Sequence, residues 1–175
     1  MTVRVSKPEF NLREKLTELD SDKVSFQKMP AGSIIQVVYA ETRTQQHASS
    51  NSYVDAANMF VDISPRFASS KMLITVHTVG QIAGNRARFD ILKTTTNSGI
   101  SERISRHSSD DGTNYGISAF EGNGINHVVS FTIEDIPGTT DLIRYQLQFV
   151  NTGSSQTFVQ GTHSVGTITV MEIKQ

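Results

Sequence analysis

Apolar residues recur at two different periods along this chain. Near the N-terminus Leu12, Leu16 and Leu19 are spaced by four and three, which places them on one helical face, while Arg13, Glu14, Lys15 and Glu18 fill the others. Ser6 with Glu9, or Asn11 with Glu14, offers a capping pair, and the pattern stops near Asp20. The spacing predicts a short N-terminal α-helix within 1–20. Isolated helices under about 12–15 residues rarely persist in water, so the leucine stripe needs a partner. Its own domain, the same helix in neighbouring subunits and a different protein all remain open, because three leucines permit a helical bundle without demanding one. Residues 21–32 carry charges, Pro30 and Gly32 with no sustained period and read as a linker.

From residue 33 the period becomes two. Strand-like runs fall at 33–39, 59–63, 71–81, 86–93, 127–134, 142–151, 156–161 and 166–173. In 142–151, Ile143, Tyr145, Leu147 and Phe149 share one parity and Leu142, Arg144, Gln146 and Gln148 the other, so only the first set is expected to be buried. In 127–134, Val129, Phe131 and Ile133 form the apolar set; in 166–173, Ile168, Val170 and Glu172 oppose Thr169, Met171 and Ile173, leaving apolar groups on both faces. Strand follows strand with no convincing helix between them. That order suits an all-β, antiparallel, jelly-roll-like β-sandwich over 33–175, since a parallel sheet would need crossover helices. The polar stretches 41–58 and 94–124 read as long loops, which in a compact domain usually carry function or bind a neighbour.

Composition narrows the function classes. Lys and Arg total 16 against 17 Asp and Glu, for a net charge of −1, so no strong field gathers nucleic acid or anionic lipid. With no cysteine, disulfides, thiolate metal sites and a cysteine nucleophile are excluded. No stretch approaches the run of about 18 apolar residues that spans a bilayer, and the first residues lack a signal-type apolar region. The expectation is a chain made soluble in a cytoplasm, with no nucleic-acid partner and no membrane insertion.

Familiar catalytic signatures are missing: no GxSxG, no Gly-Lys-Ser/Thr phosphate loop, no HExxH and no GxGxxG occurs. His47, His77, His107, His127 and His163 are scattered singly, without zinc-type spacing, and read as structural or solvated. The stretch 108–114, SSDDGTN, has the oxygen-rich side chains of a calcium loop but reads first as an Asp-Gly turn. A pair of acids for glycoside hydrolysis need only meet in space, and nothing in the sequence singles one out. Arg86, Arg88, Arg103 and Arg106 make the middle locally basic and read as solvated positions; His107, Asp110, Asp111, Asn114 and Tyr115 form a candidate exposed binding loop, with Tyr115 able to stack on a sugar. No catalytic residue, metal ligand or cofactor is assigned, and the expectation is a protein that is not an enzyme.

Three stretches carry a resemblance: PEFNLREKLTELD, followed after the linker by KMPAGSIIQVV; SPRFASSKMLITV; and the final TITVMEIKQ. Together they resemble short structural and tail-fibre proteins of marine bacteriophages, especially those of cyanobacteria. The resemblance implies a virion protein assembled in the host cytoplasm. Its N-terminal segment, with Phe10, Leu12, Leu16 and Leu19, would attach to other virion proteins or link the fibre, and its β-domain would be a homotrimeric jelly-roll head contacting a host receptor. The chain lacks the long repetitive shaft of a tail fibre, which leaves a capsid decoration protein as an alternative. A carbohydrate-binding or depolymerase module is a further one, against which stands an aromatic content of 7% without Trp.

Overall fold

Among the described residues nine strands form: β1 Ile34–Thr42, β2 Gln46–Ala48, β3 Val54–Ile63, β4 Lys71–Thr95, β5 Ser101–Arg103, β6 Ser118–Asp135, β7 Ile143–Asn151, β8 Thr157–Val159 and β9 Gly166–Ile173. The computed structural model describes residues 25–49, 52–104, 117–151, 156–159 and 164–175, with the backbone alone at 82–85, 118–123 and 125. The N-terminal helix expected within 1–20, including Phe10, Leu12, Leu16 and Leu19, lies outside the described residues. Among those residues helix is confined to one 3-10 turn, Phe26–Lys28, in the stretch read as a linker. The chain end is tied to that stretch: Lys174 Nζ donates to the carbonyls of Gln27 and Met29, and the Gly32 amide donates to the Lys174 carbonyl.

Every strand pairing is antiparallel, and the strands build two packed layers. One layer runs β1, β9, the first half of β4 and the second half of β6; the other runs β3, β7, the second half of β4 and the start of β6. β5 pairs beside the end of β4, and β8 bridges β2 to the middle of β4. The antiparallel β-sandwich expected from the alternating runs is therefore what folds.

The hydrophobic core explains why β4 belongs to both layers. The buried apolar residues of β4 are even-numbered at first, Met72, Ile74 and Val76, and odd-numbered later, Ala87, Phe89 and Ile91. Two irregularities of register, at Gln81/Ala83 and at Ala83/Arg86, switch the parity. A bulge bends a strand and rotates which side chains face inward, so the chain can cross between layers while its apolar side stays on the core. The sequence shows this place only as a lapse in alternation, and the separate runs 71–81 and 86–93 are one strand.

Other expectations are corrected in the same way. Residues 41–58 are not one loop: β1 continues to Thr42, β2 intervenes and β3 starts at Val54. Likewise 94–124 contains β5 and the start of β6. These strands are short or polar, and cross-strand pairing rather than local alternation holds them. In β3 the register jumps between Asp55 and Phe60, so Ala56 and Met59 both reach the core at a spacing that hides the strand.

Gln146 and Gln148, expected to face water, are buried together with their neighbours in β7. The swollen part of β3 accounts for Gln146, whose Nε2 donates to the carbonyls of Ala56 at 2.8 Å, Met59 at 3.2 Å and Leu147 at 2.9 Å. It supplies donors to backbone oxygens that the bulge takes out of the ladder.

Candidate binding groove and exposed faces

The outer face of the β3–β7–β4 layer is a grid set by register. One row across β5, β4, β7 and β3 reads Ser101, Thr94, Arg144, Asp62, and the next reads Arg103, Leu92, Gln146, Phe60. Arg144 donates to Asp62 through Nε and Nη2, both at 2.8 Å, and its guanidinium lies 4.1 Å from the Phe60 ring centroid. The hydrogen bonds to Asp62 raise the Arg144 pKa, against a smaller downward effect of burial. A bidentate pair stacked on a ring has little rotational freedom left, so it presents a fixed pattern of donors and acceptors.

That pair lines a groove of about 560 Å³, whose walls also include Asp55, Thr94, Leu92 and Leu142. The turn after β4 closes one end. Gly99 there has φ of +63° and donates its amide to the Thr95 carbonyl, a left-handed conformation that a residue with a Cβ adopts only with strain. The Thr96 amide donates to the Leu142 carbonyl at 3.0 Å and Asn97 Nδ2 to Asp141 Oδ1 at 2.8 Å, holding that turn against the start of β7. Asp55 Oδ1 accepts from Gln148 Nε2, whose own Oε1 accepts from Arg103 Nε, and Arg103 stacks 4.0 Å from the Tyr53 ring.

Behind this chain of contacts sit Arg88 and Asp90, both buried. Arg88 thus departs from the solvated position expected of it, because the layer's outer side is covered there. Burial first, and then the charge of Asp90 opposed by Arg103 and Arg88, raises the Tyr53 pKa.

The opposite outer face, on the β1–β9–β4–β6 layer, has a different character. Val37, Met171, Leu73 and Glu134 line up across four strands, and the next row is Tyr39, Thr169, Thr75 and Thr132. On the edge strand β1, Ile34, Val37 and Tyr39 are 53%, 56% and 54% exposed. Lys71 meets Glu134 at 3.0 Å, and the Glu41 carboxylate accepts from the neutral Tyr39 hydroxyl at 2.8 Å.

The residues singled out in the sequence are distributed as follows. His47, His77 and His127 stand on three different strands, and among the described residues no group of three His, Asp or Glu side chains is placed to hold a metal. His107, Asp110, Asp111, Asn114 and Tyr115, like His163 and Arg106, lie outside the described residues. The groove residues Asp55, Asp62, Thr94 and Arg144 form no motif in the sequence. Asp62 and Arg144 are 82 positions apart and meet only through strand register; their one local signal is that each is a charge on the solvent parity of an apolar run.

No family model matches the sequence, and no curated protein matches it. Among solved structures the chain is similar to the VP2 subviral particle protein of infectious bursal disease virus, at 12% identity and a TM-score of 0.44 over 81% of this chain and 34% of that one. It is similar to the same virus's Gt strain structure at 10% identity and 0.42, over 80% and 38%. A third similarity is to Eiger TNF from S. frugiperda, at 8% identity and 0.40, covering 79% of this chain and 94% of that one. The chain spans little more than a third of the length of the two viral chains.

Proposed function

We propose that this chain is a non-enzymatic structural component of a bacteriophage particle, a homotrimeric tail-fibre or knob protein attached through its N-terminal segment and presenting its outer surfaces to the host. The observation that carries this reading is the exposed apolar surface of the face built on β1. A nine-residue edge strand with Ile34, Val37 and Tyr39 open to solvent, continued by Met171 and Leu73, lacks the lysines, prolines and inward charges that keep exposed edges from pairing. Such a face is stabilised by covering it, and a symmetry-related copy presents the same apolar row to meet it. The resemblance of the terminal segments to marine phage structural proteins supplies the particle.

The test is the mass of the particle-free protein. Native mass spectrometry and light scattering at micromolar concentration are expected to give a trimer for the natural chain. Val37→Lys, at a position already half exposed, is expected to shift it toward monomer without loss of fold. A natural chain that stays monomeric sinks the reading.

A further inference from the structure

We propose that the groove on the β3–β7–β4 layer binds a neutral saccharide. This deepens the reading of the chain as an attachment protein and rests on it for its biological meaning, although the binding itself is a property of the isolated chain. The case starts from how the groove is held. Arg144 is fixed on two sides, by both oxygens of Asp62 and by the Phe60 ring, and the groove's end is pinned by Thr96 and Asn97 to the β7 start. A site whose polar groups are already oriented loses little entropy when it takes up a ligand. Its volume of about 560 Å³ falls within the roughly 300–1,000 Å³ of small-molecule sites.

The lining chooses the ligand class. Charged groups in the groove are Asp55, Asp62 and Arg144, a sum of one negative charge, and two of the three already neutralise each other. That balance repels phosphate, sulfate and uronic acids. Leu92 and Leu142 supply apolar surface that can meet the C–H side of a sugar ring. The remaining groups are what ring hydroxyls need: carboxylate oxygens that accept, guanidinium N–H groups that donate, and the hydroxyl of Thr94, which does both. Both oxygens of Asp62 already accept from Arg144, so the site is furnished for holding a glycan rather than for cleaving one.

A microarray of neutral and anionic oligosaccharides, probed with the full chain, followed by titration of the strongest neutral hit by calorimetry, tests this. Binding to neutral members is expected, weakened by about tenfold or more when a charged hydrogen-bond partner is removed in Arg144→Met or Asp55→Ala. Thermal melts confirm that each variant is folded. Val37→Lys, on the opposite face, is expected to bind as the natural chain does, which separates the groove from assembly. Binding of anionic members alone, no binding of any member, or affinity unmoved in both folded groove variants overturns the proposal. Any of these results in a chain that still trimerises and enters particles leaves the virion reading standing; loss of trimer and of particle incorporation with groove binding intact is the reverse case.

Discussion

Two buried polar clusters join parts of the fold that are remote in sequence. Asp135, at the end of β6, accepts from the Tyr145 hydroxyl at 2.7 Å and from Lys93 Nζ at 3.3 Å, and Lys93 also reaches Glu102 at 2.7 Å. Burial, reinforced by the charge and the hydrogen bond of Asp135, lifts the Tyr145 pKa well above the usual tyrosine range. At Lys93 burial acts downward, but the hydrogen bonds and charges of Glu102 and Asp135 outweigh it and the pKa is raised. In the folded chain both groups therefore keep protons that the unfolded chain releases. Their contribution is complete below the unfolded values, about 10 for tyrosine and about 10.4 for lysine, and fades as pH climbs through the raised folded values. Urea midpoints measured from about pH 8 to about pH 11 should fall at the alkaline end, and Tyr145→Phe should flatten that fall; a level profile in the natural chain would contradict the assignment. The second cluster centres on Glu172, fully buried, whose Oε1 accepts the amides of Arg66 at 2.7 Å and Phe67 at 3.3 Å while Oε2 accepts from Gln36. Glu172→Ala takes the acceptor from the Arg66 and Phe67 amides, while Gln36 keeps the Ser64 carbonyl, and should lower stability by about 1–3 kcal/mol. Glu172→Gln, which keeps an acceptor, should lower it less.

At the scale of elements, irregular strands do what loops do in simpler sandwiches. β4 passes from one layer to the other through its bulges, and β3 swells between Asp55 and Phe60 so that Ala56 and Met59 enter the core. The swelling includes Asn58, with φ of +59°, a conformation asparagine tolerates better than most residues with a Cβ. Gln146 is the clamp on this region. Gln146→Leu keeps the volume but withdraws the donor from two bulge carbonyls, and an equilibrium urea titration should show a loss of about 1–3 kcal/mol. An unchanged midpoint would mean that water satisfies those oxygens equally well.

For the molecule as a whole, its two outer faces suit different tasks. The β1 face carries the apolar Val37, Met171 and Leu73 in one row beside the Lys71–Glu134 pair, whereas the β3–β7–β4 face carries fixed polar groups around a groove. One is suited to packing against a copy, the other to holding a hydroxyl-rich ligand, and a trimer built on the first would leave the second open. Because the sandwich has its own closed core, deleting residues 1–20 should leave a trimer with an unchanged β-type circular dichroism spectrum that no longer enters particles. Loss of the fold instead would show that the segment belongs to the core.

The alternation from residue 33 onward was enough to establish the all-β class, the antiparallel order and most of the core. Ile143, Tyr145, Leu147 and Phe149, for example, are buried as their parity requires, since period two is a local property that survives in the primary structure. The resemblance of the terminal segments, likewise, is written in contiguous residues. Only the tertiary structure decided that two runs form one bent β4, that Gln146 and Gln148 are covered, and that Asp62 meets Arg144 beside Thr94. Each of these depends on strand register and on bulges, through which distant residues become neighbours, as Asp55 and Gln148 do across 93 positions. A bulge shifts parity without leaving a consistent mark in composition, and a groove assembled from three strands and a turn has no contiguous motif to read.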